Sequence, residues 1–395
     1  MNPFRPVLLI LLSALVSCGQ GDQKTAAHPK ANPDELVQAK GKLPLRILAE
    51  RAPNLETPLH YFLEDFTPNN VFFVRWHLAN LPDQIDADTF RLRISGAVQH
   101  PLALSLTDLK THFKPYTIAA LCECAGNARS LFNPRVQGAQ WRNGGMGNAQ
   151  WTGVKLKDLL EAAGIDPSAV DISFSGLDSP PMPTVADFEK SLSAAHSLDG
   201  EVMVAYAMNG ESLPLLNGFP LKLVVPGWYA TYWVGMLSNI RVHPDKFHGF
   251  WMDKAYLSPR NVSNGNERPD SLAKELAPVN KIDVRSIFVS PEPDSILLSG
   301  KNYDLTGVAM DGGSGITKVE VSADSGRTWS LATLGNDLGK YSWRHWHYIW
   351  KAGPAGHYIF KVRATNADGE TQPVHQWNRS GYMRNEIETL NLEVQ

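Results

Sequence analysis

Leu121-Cys122-Glu123-Cys124-Ala125-Gly126-Asn127-Ala128-Arg129 holds two of the chain's three cysteines, one residue apart, and three uses of those thiols compete. A disulfide would close a very small ring, which demands strain in the bridge. Two thiolates could instead ligate zinc or copper, with His77, His243 or His248 completing the set, but the spacing of those histidines specifies nothing. The third use is one functional thiolate beside a cysteine that is merely small and buried. Residue type alone leaves all three open.

The remaining cysteine, Cys18, closes an N-terminal targeting signal: Arg5 is basic, residues 7–16 are apolar, and Leu15-Val16-Ser17-Cys18 follows. That apolar run is too short to span a bilayer. Leu-Val-Ser-Cys resembles a bacterial lipobox, in which the thiol is lipidated and anchors the mature chain; the alternative is an ordinary cleaved signal with an incidental cysteine. Either places the protein in the cell envelope, facing the periplasm, and Gly19 after the cysteine favours the outer over the inner membrane. Residues 1–18 are thus the lipoprotein signal, and 19–45, polar and without periodicity, a tether.

At 395 residues two domains are expected, and the net charge of -3 with no Lys/Arg run argues against nucleic acid. Eleven Trp fit an ordered globular protein. Over 88–98 the alternation of Phe90, Leu92 and Ile94 predicts a half-buried strand. Residues 105–113 predict a helix capped by Ser105 or Thr107, and 156–163 another, stopped by Gly164. Residues 221–225 read as a buried strand ending at Pro226-Gly227. Long Gly- and Pro-rich stretches, 133–150 and 176–184, read as functional loops. After about Lys281 the pattern changes to short strands: 316–322, a turn at Asp324-Ser325-Gly326, then 329–334, and later a strand with Tyr358, Phe360, Val362 and Ala364 on one face. That predicts a β-sandwich of about one hundred residues.

The residues around the paired cysteines then narrow the choice. Cys124-Ala125-Gly126-Asn127-Ala128-Arg129 resembles the Cys-Ala-Gly-Asn-x-Arg segment of the sulfite oxidase family of molybdopterin enzymes. Phe72-Phe73-Val74-Arg75-Trp76-His77 and Gly147-Asn148-Ala149-Gln150-Trp151-Thr152-Gly153 are similar to two more of its motifs, in order. Ser175-Gly176-Leu177-Asp178, Ala205-Tyr206-Ala207-Met208-Asn209-Gly210-Glu211 and Gly218-Phe219-Pro220 continue the series. Val319-Glu320-Val321-Ser322, Ser325-Gly326-Arg327-Thr328-Trp329 and Gln376-Trp377-Asn378 look like the family's dimerisation domain.

The resemblance implies an α+β fold: a sulfite-oxidase-type molybdopterin-binding catalytic domain over 46–275, followed by an immunoglobulin-like β-sandwich of dimerisation type over 280–395. It implies a molybdenum-molybdopterin cofactor with Cys124 as the metal's protein thiolate. By their places in the motifs, Arg75 matches the substrate-binding arginine and Arg129 a second basic residue, while Tyr256 resembles an active-site tyrosine of periplasmic members. His77, Asn148, Asp178, Asn217 and Lys222 fall in cofactor-binding segments. The implied activity is oxidation of sulfite, or a related sulfur oxyanion, with electrons leaving to a separate c-type cytochrome, since the chain has no Cys-x-x-Cys-His haem motif. A homodimer is the implied assembly. Two positions depart from the pattern: Val234-Gly235-Met236-Leu237 lacks a lysine, and Asp311-Gly312-Gly313-Ser314 lacks an arginine. The rival readings are a sulfane-sulfur dehydrogenase, a periplasmic sulfoxide reductase, and a silent lipoprotein with an adhesive β-sandwich.

Overall fold

The computed structural model describes residues 36–37, 41–259 and 266–395. The signal segment, Cys18 and most of the expected tether lie outside the described residues. The folded body starts earlier than expected, however: Leu36–Val37 pairs antiparallel with Leu45–Ala49, and Lys42 is buried. Its polar composition disguised this stretch, because the Lys42 ammonium finds acceptors inside the protein.

Among the described residues the α-helices are four, none longer than seven residues, so strands dominate. Helix Leu106–His112 starts at Ser105, whose hydroxyl accepts from the Asp108 amide while the Asp108 carboxylate accepts from the Ser105 amide. This reciprocal cap satisfies two otherwise orphaned donors. Helix Leu156–Ala162 stops where Gly164 takes φ +65, the left-handed conformation expected there.

Beside a four-stranded sheet of Leu36–Val37, Leu45–Ala49, Asn54–Glu56 and Val74–Arg75 and the pair Leu257–Pro259 with Leu276–Pro278, two five-stranded sheets build the core of the first domain. One runs in the order Glu189–Ser193, Asp171–Ser175, Asn239–His243, Leu92–Gly96, Leu102–Leu104; the other runs Glu211–Ser212, Met203–Met208, Met146–Lys155, Tyr116–Glu123, with Lys222–Val224 also on Met203–Met208. Leu92, Ile94, Ile172, Phe174 and Ile240 of the first share a core with Ala120, Val154, Val204 and Leu223 of the second. Phe90 is buried with Leu92 and Ile94 as expected, but it precedes the strand. The stretch 133–150 is not irregular throughout: its last five residues open strand Met146–Lys155. Gly147 and Asn148, poor strand formers, hid that start.

The second domain has a four-stranded sheet, Arg285–Ser290, Asn302–Met310, Arg344–Lys351, Thr333–Leu334, and a five-stranded one, Ile296–Leu297, Glu388–Val394, Gly356–Asn366, Ile316–Ser322, Ser330–Leu331. Leu305, Ala309 and Trp346 meet Val319, Val321, Phe360, Val362 and Leu390 between them. The expected strand over 329–334 is in fact two: Ser330–Leu331 pairs in one sheet and Thr333–Leu334 in the other. A bulge between Ile316 and Lys318 brings Ile316 to the buried face with Val319 and Val321.

The domains meet over a continuous apolar seam that includes Leu121, Ala125, Met146 and Tyr256 from one side and Ile282, Ile287, Met310 and Trp343 from the other. The strand bearing the paired cysteines therefore has one face in the first domain and one against the second.

Candidate active site

A cavity opens between the motif Phe72–His77, the turn after Tyr116–Glu123 and the segment around Tyr256. Strand alternation selects its wall. On Tyr116–Glu123, Cys122 faces the cavity while its neighbour Leu121 packs in the domain seam. Cys124, one residue beyond the strand, faces the cavity again.

The turn that presents Cys124 is fixed by hydrogen bonds. The Cys124 amide donates to Gly145 O (2.9 Å), the Asn127 amide to Cys124 O (2.8 Å), and the Gly145 amide to Asn127 Oδ1 (2.9 Å). Both cysteines are free, which removes the disulfide reading, and no group of three His, Cys, Asp or Glu able to hold a metal occurs among the described residues. His243 is bonded to Ser173 Oγ and His248 to Asp253, so neither joins the cysteines. Burial pushes the Cys122 thiol up to about 12, which leaves it a neutral packed side chain. Burial also raises Cys124, but the Arg75 guanidinium opposes that rise. Each thiol has a cation near it, Lys222 for Cys122 and Arg75 with Arg129 for Cys124, but only Cys124 also accepts a backbone hydrogen bond, from the Gly126 amide.

Arg75, Tyr256 and His77 form a connected set. Arg75 lies on strand Val74–Arg75, paired with Asn54, whose Oδ1 accepts from Nη1 at 3.2 Å. Its Nη2 donates to the Tyr256 hydroxyl at 3.3 Å, and that hydroxyl is 2.5 Å from His77 Nε2. Arginine can only donate, so the phenol oxygen accepts from it. The contact with His77 Nε2 then has two arrangements in a neutral ring: the phenol donates to Nε2 in the Nδ1–H tautomer, or accepts from it in the Nε2–H tautomer. Burial, with Arg75 and Lys190 nearby, holds His77 well below its ordinary pKa, consistent with that neutrality. The ring is stacked on Phe188, centroids 3.8 Å apart and 9° from parallel.

Away from Tyr256, the cavity wall carries Asp178, Asn217 and Lys222. Asp178 Oδ2 is buried without a hydrogen-bond partner, and burial lifts its pKa to about 7. Lys222 makes no hydrogen bond or ion pair among the described residues. Lys42 donates to Phe72 O at 3.0 Å, to Asn69 O and to Asn217 Oδ1, all uncharged acceptors. Burial and Lys222 lower its pKa to about 7. Buried cations without carboxylate partners are costly unless an anion joins them. A ligand with anionic groups at this end and hydrogen-bond donors near Asp178 would satisfy all of them, which is the donor pattern of a molybdopterin phosphate and pterin. The residues present therefore fit that cofactor.

Gly235, in the segment that departs from the motif, is closely packed. A Cβ there would stand 3.1 Å from both Gly218 Cα and Trp76 Cη2, so any side chain would need these neighbours to shift by a few tenths of an ångström.

Two expected site residues lie elsewhere. Arg129 is buried with its Nε bonded to Gly381 O (2.9 Å) and Nη1 to Ala139 O (3.3 Å), and it does not line the cavity. Asn148 is three residues from cavity-lining Trp151 on one strand and so faces the opposite way, donating to Asp65 O and Ser342 Oγ at the domain seam. Side-chain direction thus sends Asn148 to the seam, whereas Arg129, though off the wall, stays near enough to oppose the burial-driven rise of Cys124. The loop Asp311-Gly312-Gly313-Ser314 turns in on itself, with the Asp311 carboxylate accepting from the amides of Gly313, Ser314 and Gly315, and adds no side chain to the cavity wall. Three residues were missed: Lys42, hidden in an apparent tether; Lys190, whose ammonium donates to Trp251 O and lies 5.5 Å from the Tyr256 ring centroid; and Tyr382, stacked on Tyr256 from the second domain. No local signal marked the last two.

Residues 78–251 match the family model of the oxidoreductase molybdopterin binding domain, and 277–392 that of the Mo-co oxidoreductase dimerisation domain. Arg75, His77 and Tyr256 fall outside both matched spans. The chain is 32% identical to the mitochondrial sulfite oxidase of Homo sapiens over 89% of its own length and 66% of that protein's. It thus spans just under two thirds of that relative. It is 31% identical to the sulfite oxidase of Arabidopsis thaliana, over 78% of this chain and 80% of that one. Among solved structures, the sulfane dehydrogenase SoxCD from Paracoccus pantotrophus superposes with a TM-score of 0.75 at 25% identity, covering 86% of this chain and 84% of that one.

Proposed function

The chain belongs to the sulfite oxidase family of molybdopterin-binding oxidoreductases, and from that membership we propose that it oxidises sulfite to sulfate and passes the electrons to a separate c-type cytochrome. The observation that carries the reading is the convergence of Cys124, Arg75 and the Tyr256–His77 pair on one buried cavity. Molybdopterin, when bound, supplies through its metal the acceptor for two electrons from substrate and releases them singly.

The protein's own part is to bind, orient and keep dry. Cys124 would hold the metal as thiolate, a soft donor suited to it. Arg75 keeps its charge at any working pH and offers a planar pair of donors to a sulfur oxyanion. Tyr256, bonded to both Arg75 and His77, presents its phenol oxygen beside the substrate position. Asp178 would accept from the pterin, and Asn217, Lys222 and Lys42 would hold its phosphate end. Phe72, Phe73, Trp76, Trp151 and Trp233 line the rest and exclude water.

The test is molybdenum quantitation on the purified protein together with sulfite-dependent cytochrome c reduction. One molybdenum per chain with turnover supports the reading; stoichiometric metal without sulfite turnover overturns the substrate. A second reading, oxidation of sulfane sulfur, draws on the SoxCD superposition and on the absence of any cation from the Asp311–Ser314 loop on the cavity wall. Turnover of a sulfane-carrying peptide in preference to sulfite would favour it. The N-terminal segment supports export and anchoring at Cys18, which labelling with a radioactive fatty acid would detect and Cys18→Ala abolish. The matched dimerisation domain supports a homodimer, and two packed sheets, antiparallel except where Ile296–Leu297 joins Glu388–Val394, support the immunoglobulin-like assignment.

A further inference from the structure

We propose that Tyr382, delivered by the second domain, is a positioning residue for Tyr256, and that with Arg129 it forms a clamp setting the Tyr256 phenol in the substrate pocket; this rests on the role given to Tyr256 above. Local chain structure does not hold Tyr256 by itself. Its φ is +55, a left-handed conformation uncommon for a bulky side chain. It follows the one-turn helix Phe250–Asp253 and precedes the three-residue strand Leu257–Pro259.

His77, Trp251 and Lys190 of the first domain lie around the ring, and the second domain meets it through Tyr382. Tyr382 stacks on Tyr256 with centroids 5.0 Å apart and planes at 22°. The Arg129 guanidinium lies over the Tyr382 ring at 4.8 Å. Arg129 is itself fixed by Gly381 O and Ala139 O. At Gly381, φ +64, an added Cβ would come within 2.6 Å of Arg129 Nε and Val136 Cγ2, so the turn admits only glycine without displacement. The Met383 amide donates to Ala125 O at 2.9 Å, one residue after Cys124. Three consecutive residues of the second domain thereby touch the cysteine turn, Arg129 and Tyr256. Arg129, placed by motif beside the substrate, acts on it through Tyr382.

A ring stack of this kind is worth roughly two- to tenfold in an equilibrium constant. On the molybdenum-loaded enzyme, Tyr382→Leu is expected to raise the sulfite KM by roughly five- to tenfold with kcat falling less than about twofold. Tyr382→Phe, which keeps the stack, stays within about twofold on both, and Tyr382→Leu adds nothing in a Tyr256→Phe background. An unchanged KM in Tyr382→Leu, equal damage in Tyr382→Phe, or additive effects would overturn the clamp. A second readout needs no turnover: 19F NMR of the fluorotyrosine-labelled holoenzyme, with the Tyr256 signal identified by its loss in Tyr256→Phe. That signal should move far more in Tyr382→Leu than in Tyr382→Phe; an unmoved signal in Tyr382→Leu refutes the clamp. A wild-type enzyme that carries molybdenum but oxidises no sulfite would sink the functional reading alone, and the fluorine spectra would still decide this one.

Discussion

Arg75 reaches the cavity as a cation that no working pH removes, and it touches both the phenol of Tyr256 and the field around Cys124. Replacing it removes a charge-assisted pair of hydrogen bonds to substrate, so Arg75→Gln should raise the sulfite KM by roughly ten- to a hundredfold; steady-state kinetics showing an unchanged KM would refute its role. Cys124→Ser should lose molybdenum-dependent turnover while its circular dichroism stays that of the wild type, because serine nearly matches the buried cysteine in size and shape. Lys190 behaves differently from Arg75, since burial lowers its pKa to about 7. Below that value it is charged beside Tyr256 and assists anion binding; above it the assistance is lost. Sulfate, whose charge is constant across this window, should therefore inhibit more weakly as pH rises from about 6 to 8. Lys190→Met should flatten that dependence, and an equally steep inhibition profile in the variant would remove Lys190 from the account.

Strand Met146–Lys155 serves both domains because its side chains alternate between them. Ala149 and Trp151 pack into the first core, whereas Met146 and Asn148 face the seam. Asn148→Ala should thus cost about 1–2 kcal/mol of unfolding free energy through its two lost buried hydrogen bonds and leave molybdenum content unaltered. A loss of metal with unchanged stability would return Asn148 to the cofactor. The same alternation on Tyr116–Glu123 separates Leu121 from Cys122 and sends the two cysteines to one side.

Across the whole molecule the two domains are joined by buried charge as well as by apolar contact. Arg285 of the second domain reaches Glu123 at 3.3 Å and Glu388 at 2.5 Å, and Arg384 reaches Glu388 at 2.7 Å, each of them almost fully buried. Breaking such a pair leaves an uncompensated charge in the interior. Arg285→Met should cost about 3–5 kcal/mol, measured by denaturant unfolding; a cost below about 1 kcal/mol would show the network to be dispensable. Glu123 precedes Cys124 directly, so this seam is also part of the cysteine turn. The sequence by itself determined the family, the two-domain order, the helix caps and the cysteine pair of the cavity wall, because each is written in contiguous residues or in a local period. Only the tertiary structure decided that Asn148 faces the domain seam, that Arg129 lies off the cavity wall, that Lys42 reaches Asn217 behind it, and that Tyr382 stacks on Tyr256. Side-chain direction and contacts between residues 126 positions apart, as in Tyr256 and Tyr382, depend on how sheets are stacked, and no local pattern records that.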